Sequence, residues 1–160
     1  MNNEHLKVVV ASGGFDPLHS GHIEYLKESR FLGNRLIVAL ASDYALIQKK
    51  KNFFLGWEDR KSIIKSLKFV DDVIIIDDYY NHYEHALMQL RKVYPTVTIT
   101  FASGNGPTQY NTPSLTDQNV EFIYNVGGDR INSSRSILRN YANYITNLNS
   151  LEESPARKFQ

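Results

Sequence analysis

The stretch Leu6-Lys7-Val8-Val9-Val10-Ala11-Ser12-Gly13-Gly14-Phe15-Asp16-Pro17-Leu18-His19-Ser20-Gly21-His22 decides the fold of this chain. Residues 6–11 are mostly apolar and β-branched with no polar alternation, which predicts a strand buried on both faces. Residues 21–32 read as a helix, and Gly33-Asn34 as its C-cap. Gly13 and Gly14 stand at the turn between them, where backbone lacking Cβ lets amides come close to an anion. The helix N-terminus behind them favours negative charge. His19 and His22 are three apart and share one face of the first helical turn. Two imidazoles and a row of N–H groups aimed at one place suit a polyphosphate. A His-x-x-His pair can also serve zinc, but the chain has no cysteine and Asp16 is wrongly spaced for a third ligand. Two structural histidines beside a glycine turn are the other plain reading.

Working outward, apolar and amphipathic runs alternate. Strands are predicted at residues 6–11, 35–41, 73–76, 97–101 and 121–125. Helices are predicted at 21–32, at 43–48 behind a Ser42 or Asp43 cap, at 57–67, at 82–94 before Pro95, and at 133–148. Apolar strands separated by helices imply an α/β fold with a parallel sheet covered on both faces. Ligands of such sheets sit beyond the carboxyl ends of the strands. The glycine turn lies there, and the loops after strands two, four and five are expected to converge on it.

At 160 residues the chain is expected to form a single domain over 1–149, with a loose polar tail over 150–160. A net charge of +1 argues against a nucleic-acid partner, and the absence of cysteine excludes disulfides and a thiol nucleophile. No apolar run approaches the roughly 18 residues of a membrane span, so a cytoplasmic protein with no membrane partner is expected. Aromatic residues make up 12% of the chain, which hints at a surface shared between subunits.

The opening run resembles the G-x-F-D-x-x-H-x-G-H signature of the nucleotidyltransferase superfamily, which takes in cytidylyltransferases and adenylyl-transferring relatives. Gly13, Phe15, Asp16, His19, Gly21 and His22 occupy its defining positions. Class I aminoacyl-tRNA synthetases carry a bare H-x-G-H inside far longer chains, whereas the ten-residue form directly after a first strand is specific. The resemblance implies a Rossmann-like five-stranded parallel sheet, flanked by helices on both faces, with strand order 3-2-1-4-5.

Several further segments are similar to the glycerol-3-phosphate cytidylyltransferase group. Lys49-Lys50-Lys51, which alone would read as a solvated loop, falls where that group holds lysines over the triphosphate. Asn52-Phe53-Phe54-Leu55-Gly56-Trp57-Glu58-Asp59-Arg60 resembles its aromatic pair and E-x-R helix start. An extra residue before Arg60 leaves the register open among the three lysines, with Lys50 taken first. Asn132-Ser133-Ser134 resembles its hydroxyl motif at the last helix, with Asn replacing the leading serine; helix capping by Ser133 fits the same residues. Two departures stand where base and acceptor are recognised. Arg130, within Gly127-Gly128-Asp129-Arg130-Ile131, is displaced by three places from the group's arginine, and residues 102–110 lack its G-x-D-W loop.

The resemblance therefore implies His19, His22 and Lys50 as catalytic. It implies nucleotide contacts at Ser12, Gly13, Gly14, Phe15, Asp16, Gly21, Lys49, Arg60, Ser103, Gly104, Arg130, Asn132, Ser133 and Ser134. The implied reaction transfers CMP from CTP to a small phosphorylated acceptor. Magnesium would be held mainly by the nucleotide rather than by protein side chains, and the enzyme would be a homodimer. An adenylyltransferase using ATP and a non-catalytic nucleotide-binding module are the alternatives. His82, Glu84 and His85 are expected to lie on an exposed helical face rather than to bind metal.

Overall fold

The computed structural model describes residues 6–107, 119–129 and 132–152. Strand β1 (Lys7–Gly13) lies at the centre of a five-stranded sheet. Helix α1 (Ser20–Phe31), β2 (Arg35–Ala41), α2 (Asp43–Lys50), α3 (Trp57–Lys65), β3 (Asp72–Ile76), α4 (His82–Arg91), β4 (Thr98–Ala102), β5 (Val120–Ile123) and α5 (Ser134–Glu152) follow. The strands pair in the order β3-β2-β1-β4-β5, all parallel, as the sequence led one to expect.

The uninterrupted apolar run of β1 has a direct cause. Val8 and Val10 pack on one face with Tyr83, Ala86, Leu87 and Leu90 of α4, while Val9 and Ala11 pack on the other with Leu26 of α1 and Ile64 of α3. Both faces are covered, so neither set of alternating positions can be polar. Registers bring the strand ends level: Ala11 pairs with Val38 of β2 and with Ala102 of β4. The chain runs from β1 to β2 and β3 on one side and returns to β4 and β5 on the other. The crevice between the ends of β1 and β4 is thus the switch point of the sheet.

Two expectations change in detail. Gly33 is not a left-handed C-cap; α1 ends at Leu32, whose N–H donates to the Ser29 carbonyl. Glycine is required instead by close packing, since a Cβ at Gly33 would sit 2.6 Å from the Lys7 carbonyl oxygen. The last helix continues to Glu152, so residues 150–152 belong to α5, and 153–160 lie outside the described residues. The stripe of Tyr141, Tyr144, Ile145 and Leu148 on α5 is solvent-exposed. Among the described residues no helix is long and apolar enough to cross a membrane.

Candidate active site

The switch point opens into a cavity of about 530 Å³. Its floor is the end of β1 and the turn after it, Ser12 to Phe15. Phe15 has a left-handed backbone (φ 49°) that folds its ring back under Gly13, where a Cβ would lie 3.0 Å from the ring. The buried ring meets the His22 imidazole edge-on, with centroids 5.0 Å apart. The glycine and the phenylalanine of the motif thus act together as a shelf for His22. A Cβ at Gly14 would collide with Leu46 of α2 at 2.8 Å, so the turn sits tight against that helix.

His19 and His22 stack on each other with ring centroids 3.7 Å apart and planes 19° from parallel. His19 is also the N-cap of α1, its Nδ1 accepting the His22 backbone N–H at 3.3 Å. A nitrogen that accepts carries no proton, so the neutral His19 tautomer holds its hydrogen on Nε2, as a donor. Gly21 lets α1 pack closely here: a Cβ would lie 3.2 Å from the His19 ring and 3.7 Å from the Asn132 carbonyl oxygen. The start of α5 therefore adjoins the start of α1, and two helix N-termini line one cavity.

The α5 hydroxyls are mostly engaged in building this corner. Ser133 Oγ caps the helix by accepting from the Ser136 amide at 3.1 Å, and Asn132 Oδ1 accepts from the Ser133 amide at 2.8 Å. Ser134 Oγ donates to the Pro17 carbonyl at 3.0 Å, joining α5 to the signature loop. What the corner presents to an anion is thus chiefly the N-terminal end of α5.

Tyr25 bridges the two sides of the crevice. Its hydroxyl donates to the Ala102 carbonyl at 2.8 Å and accepts from the Ser12 amide at 3.2 Å, standing between the ends of β1 and β4. Burial, with lesser repulsion from Tyr83, pushes its phenol well above the ordinary range, so it stays neutral. Gly127 (φ +91°) packs on the same residue; a Cβ there would be 2.8 Å from Tyr25 Cα. Ser103, Gly104 and Asn105 after β4, and Val126 to Asp129 after β5, complete that wall.

Three site assignments are corrected. Arg60 is 1% exposed and does not itself line the cavity. Its guanidinium donates to the carbonyls of Leu55, Gly14 and Ala41 at 2.7–2.8 Å and to Asp43 Oδ1 at 2.7 Å, so it ties the signature turn to β2 and the 52–56 loop. Asp16, also 1% exposed, turns its carboxylate away from the cavity to accept from the Phe54 and Leu55 amides and from Lys50 Nζ at 3.0 Å. Burial alone would raise its pKa, but the Leu55 and Phe54 amides and the Lys50 ammonium outweigh burial and hold it below the usual value. Lys50 is thereby turned from the cavity as well. Asp16 and Lys50 border a separate depression with Asn52, Phe53, Phe54 and Leu138. The lysine that lines the cavity is Lys49, whose ammonium lies 4.6 Å from the centroid of the Tyr79 ring. Arg130 lies outside the described residues.

The sequence reading missed the wall beyond β3. Asp78, Tyr79, His82 and Tyr83 all line the cavity. The rule that ligands gather past the carboxyl ends of strands applies to the end of β3 at Ile76 as to the others, and would have found them. His82 is not on an exposed face: it is half-buried, with its ring against Tyr83 at 4.0 Å.

Residues 10–132, from the middle of β1 to the threshold of α5, match the sequence profile of the cytidylyltransferase-like family. The chain belongs to that family, within the nucleotidyltransferase superfamily. It is 41% identical over 69 residues to the glycerol-3-phosphate cytidylyltransferase of Bacillus subtilis, covering 43% of this chain and 54% of that protein. It is 42% identical over 67 residues to the FAD synthase of Picrophilus torridus, covering 42% and 48%. The chain therefore spans about half the length of these curated relatives. Among solved structures, a lipopolysaccharide core biosynthesis protein of Thermoplasma volcanium aligns with TM-score 0.54 and 29% identity over 74% of this chain and 95% of that one. A bifunctional NMN adenylyltransferase/ADP-ribose pyrophosphatase of Francisella tularensis shares the fold, with TM-score 0.58 and 19% identity over 86% and 43%.

The lysines separate by experiment. Lys49→Ala is expected to lower nucleotide affinity or turnover by roughly 10-fold or more, as for loss of a charge aimed at phosphate. Lys50→Ala is expected to lower stability by about 1 kcal/mol with a smaller kinetic effect, since its side chain is 36% exposed and its charge screened. Denaturant unfolding and steady-state kinetics on both variants check this; the reverse pattern would return Lys50 to the site.

Proposed function

We propose that this protein transfers a nucleotidyl group from a nucleoside triphosphate, CTP in our reading, to a small phosphorylated acceptor with release of pyrophosphate. The observation that carries this is the stacked His19–His22 pair set between the N-termini of α1 and α5, at the switch point of the sheet. A phosphate oxygen of the acceptor attacks the α-phosphorus, and the bond from that phosphorus to the β-phosphate bridging oxygen breaks. An acceptor phosphate is already anionic near neutral pH, so no strong base is required. The protein's task is placement and charge stabilisation. His19 Nε2–H and the His22 imidazole face the bridging and β-phosphate oxygens as charge moves onto pyrophosphate, the amides of α5 hold the distal phosphates, and Lys49 offsets charge at the α-phosphate.

A magnesium ion would be held mainly through the oxygens of the triphosphate. When bound, it supplies charge neutralisation on the phosphates. The base is assigned to the wall formed by 103–105 and 126–129, where glycine backbone permits close approach to cytosine's amine and carbonyl.

Adenylyl transfer is the second reading. It is supported by the FAD synthase relative, whose product carries an adenylyl group and which is 42% identical against 41% for the cytidylyltransferase. Thermal shift with CTP and ATP, followed by pyrophosphate release with candidate acceptors, tests both, because a ligand stabilises the native state in proportion to its affinity. CTP is expected to give the larger shift. Tighter ATP binding would sink the cytidylyl reading and promote the adenylyl one. Binding without pyrophosphate from any pair would leave a nucleotide-binding module.

A further inference from the structure

In the proposed reaction two walls of the cavity have tasks. His19, His22 and the first turn of α5 face the leaving pyrophosphate, and the loops after β4 and β5 face the base. The third wall, past the ends of β2 and β3, has a task only at Lys49, which faces the α-phosphate, and is otherwise left for the acceptor. It consists of Lys49, Ile76, Asp78, Tyr79, His82 and Tyr83. Much of its polarity is used internally: the Asp78 carboxylate accepts from the Tyr80 and Asn81 amides and from Asn81 Nδ2.

His82 is different. Its Nδ1 lies 2.8 Å from the Tyr79 carbonyl oxygen. A carbonyl only accepts, so Nδ1 carries the hydrogen, and in the neutral ring Nε2 is left as a bare acceptor. The ring is held between Tyr79, stacked at 6.1 Å, and Tyr83, tilted at 4.0 Å. Burial pushes its pKa below the ordinary value; the Tyr79 carbonyl, Glu84 and Asp78 oppose this, and the Lys49 charge adds to it. The imidazole is therefore neutral at neutral pH.

We propose that His82 selects the acceptor: its Nε2 accepts a hydrogen bond from a hydroxyl of a polyol phosphate or sugar phosphate whose phosphate lies against Lys49. The inference rests on the nucleotidyl-transfer reading. A trimethylammonium head group offers Nε2 no donor and brings a second cation beside Lys49, so phosphocholine fits this wall poorly.

The test uses the full chain with glycerol 3-phosphate, ribitol 5-phosphate, glucose 1-phosphate and phosphocholine. Acceptor binding is read by thermal shift in the presence of nucleotide, and transfer by pyrophosphate release. At least one hydroxylated phosphate is expected to stabilise the wild type more than phosphocholine does. His82→Phe keeps a ring between the tyrosines and is expected to raise KM for that acceptor about 10-fold or more, with kcat and nucleotide KM changed less than about threefold. His82→Gln, whose Oε1 accepts, is expected to keep most of the affinity. An acceptor KM unchanged in His82→Phe, a preference for phosphocholine, or binding of no hydroxylated phosphate would overturn the proposal. If nucleotide binds but no pyrophosphate forms, the transfer reading fails, and the acceptor-induced shift in wild type against His82→Phe still decides this one.

Discussion

Replacing His19 or His22 with alanine is expected to lower turnover by about 10²-fold or more, because each change removes a donor that works as charge develops on the leaving pyrophosphate. The two positions differ in what else they lose. His19 caps α1, so His19→Ala also costs about 1 kcal/mol of stability, while His22→Ala uncovers the Phe15 ring and removes one half of the stack. Two further variants separate the roles at His19. His19→Asn can still accept the His22 amide, but its own amide stops short of the position of Nε2. His19→Gln reaches that position and makes a poorer cap. Asn is therefore expected to preserve stability better and Gln turnover better, with both more active than Ala. Unfolding curves and pyrophosphate-release rates on the set check this. Near-wild-type turnover in both alanine variants would remove the histidines from the chemistry.

The fold was legible because its signals are local and redundant. Short, β-branched apolar runs bounded by turn residues read as strands covered on both sides, and the helices between them favour parallel pairing. The strand order came from the signature's resemblance, since periodicity says nothing about which strand lies beside which. Within the site, the glycine turn, the paired histidines and the α5 start were readable for the same local reason. The errors fell on the directions side chains take, those of Arg60, Asp16, Lys50 and His82. Whether Lys49 or Lys50 faces the cavity depends on a single 100° step around the last turn of α2. Lys50 takes the side of Asp16, a buried carboxylate needing a partner, and Lys49 is left toward Tyr79. No property of a triple lysine carries that information. His82 was misread because its surroundings, Tyr79 and Tyr83, are aromatic neighbours that bury it against the end of β3, where a helical pattern suggested only a polar first turn.

Arg60→Ala is expected to destabilise the fold by about 3–5 kcal/mol, the usual result of taking one partner from a buried, hydrogen-bonded charge network. The cost falls mainly on the Leu55, Gly14 and Ala41 carbonyls, which lose their donor inside the protein. Asp43 suffers less, because its side chain is 27% exposed and water can replace the guanidinium. A loss of that size is a large part of the 5–15 kcal/mol that holds an ordinary domain, so Arg60→Lys is the companion variant. Lysine keeps the charge but not the planar fork, and cannot reach three carbonyls on three segments at once. It is expected to fold with a lowered denaturant midpoint and, because the Gly14 turn is no longer tied to the end of β2, with reduced turnover. A phosphate contact would behave in the opposite way. Its loss would leave the ligand-free unfolding curve unmoved, or even improve it by removing a cation from an anion site, and would weaken nucleotide binding alone. Unfolding measured without nucleotide therefore separates the two roles, since in that state only a structural arginine has anything to lose.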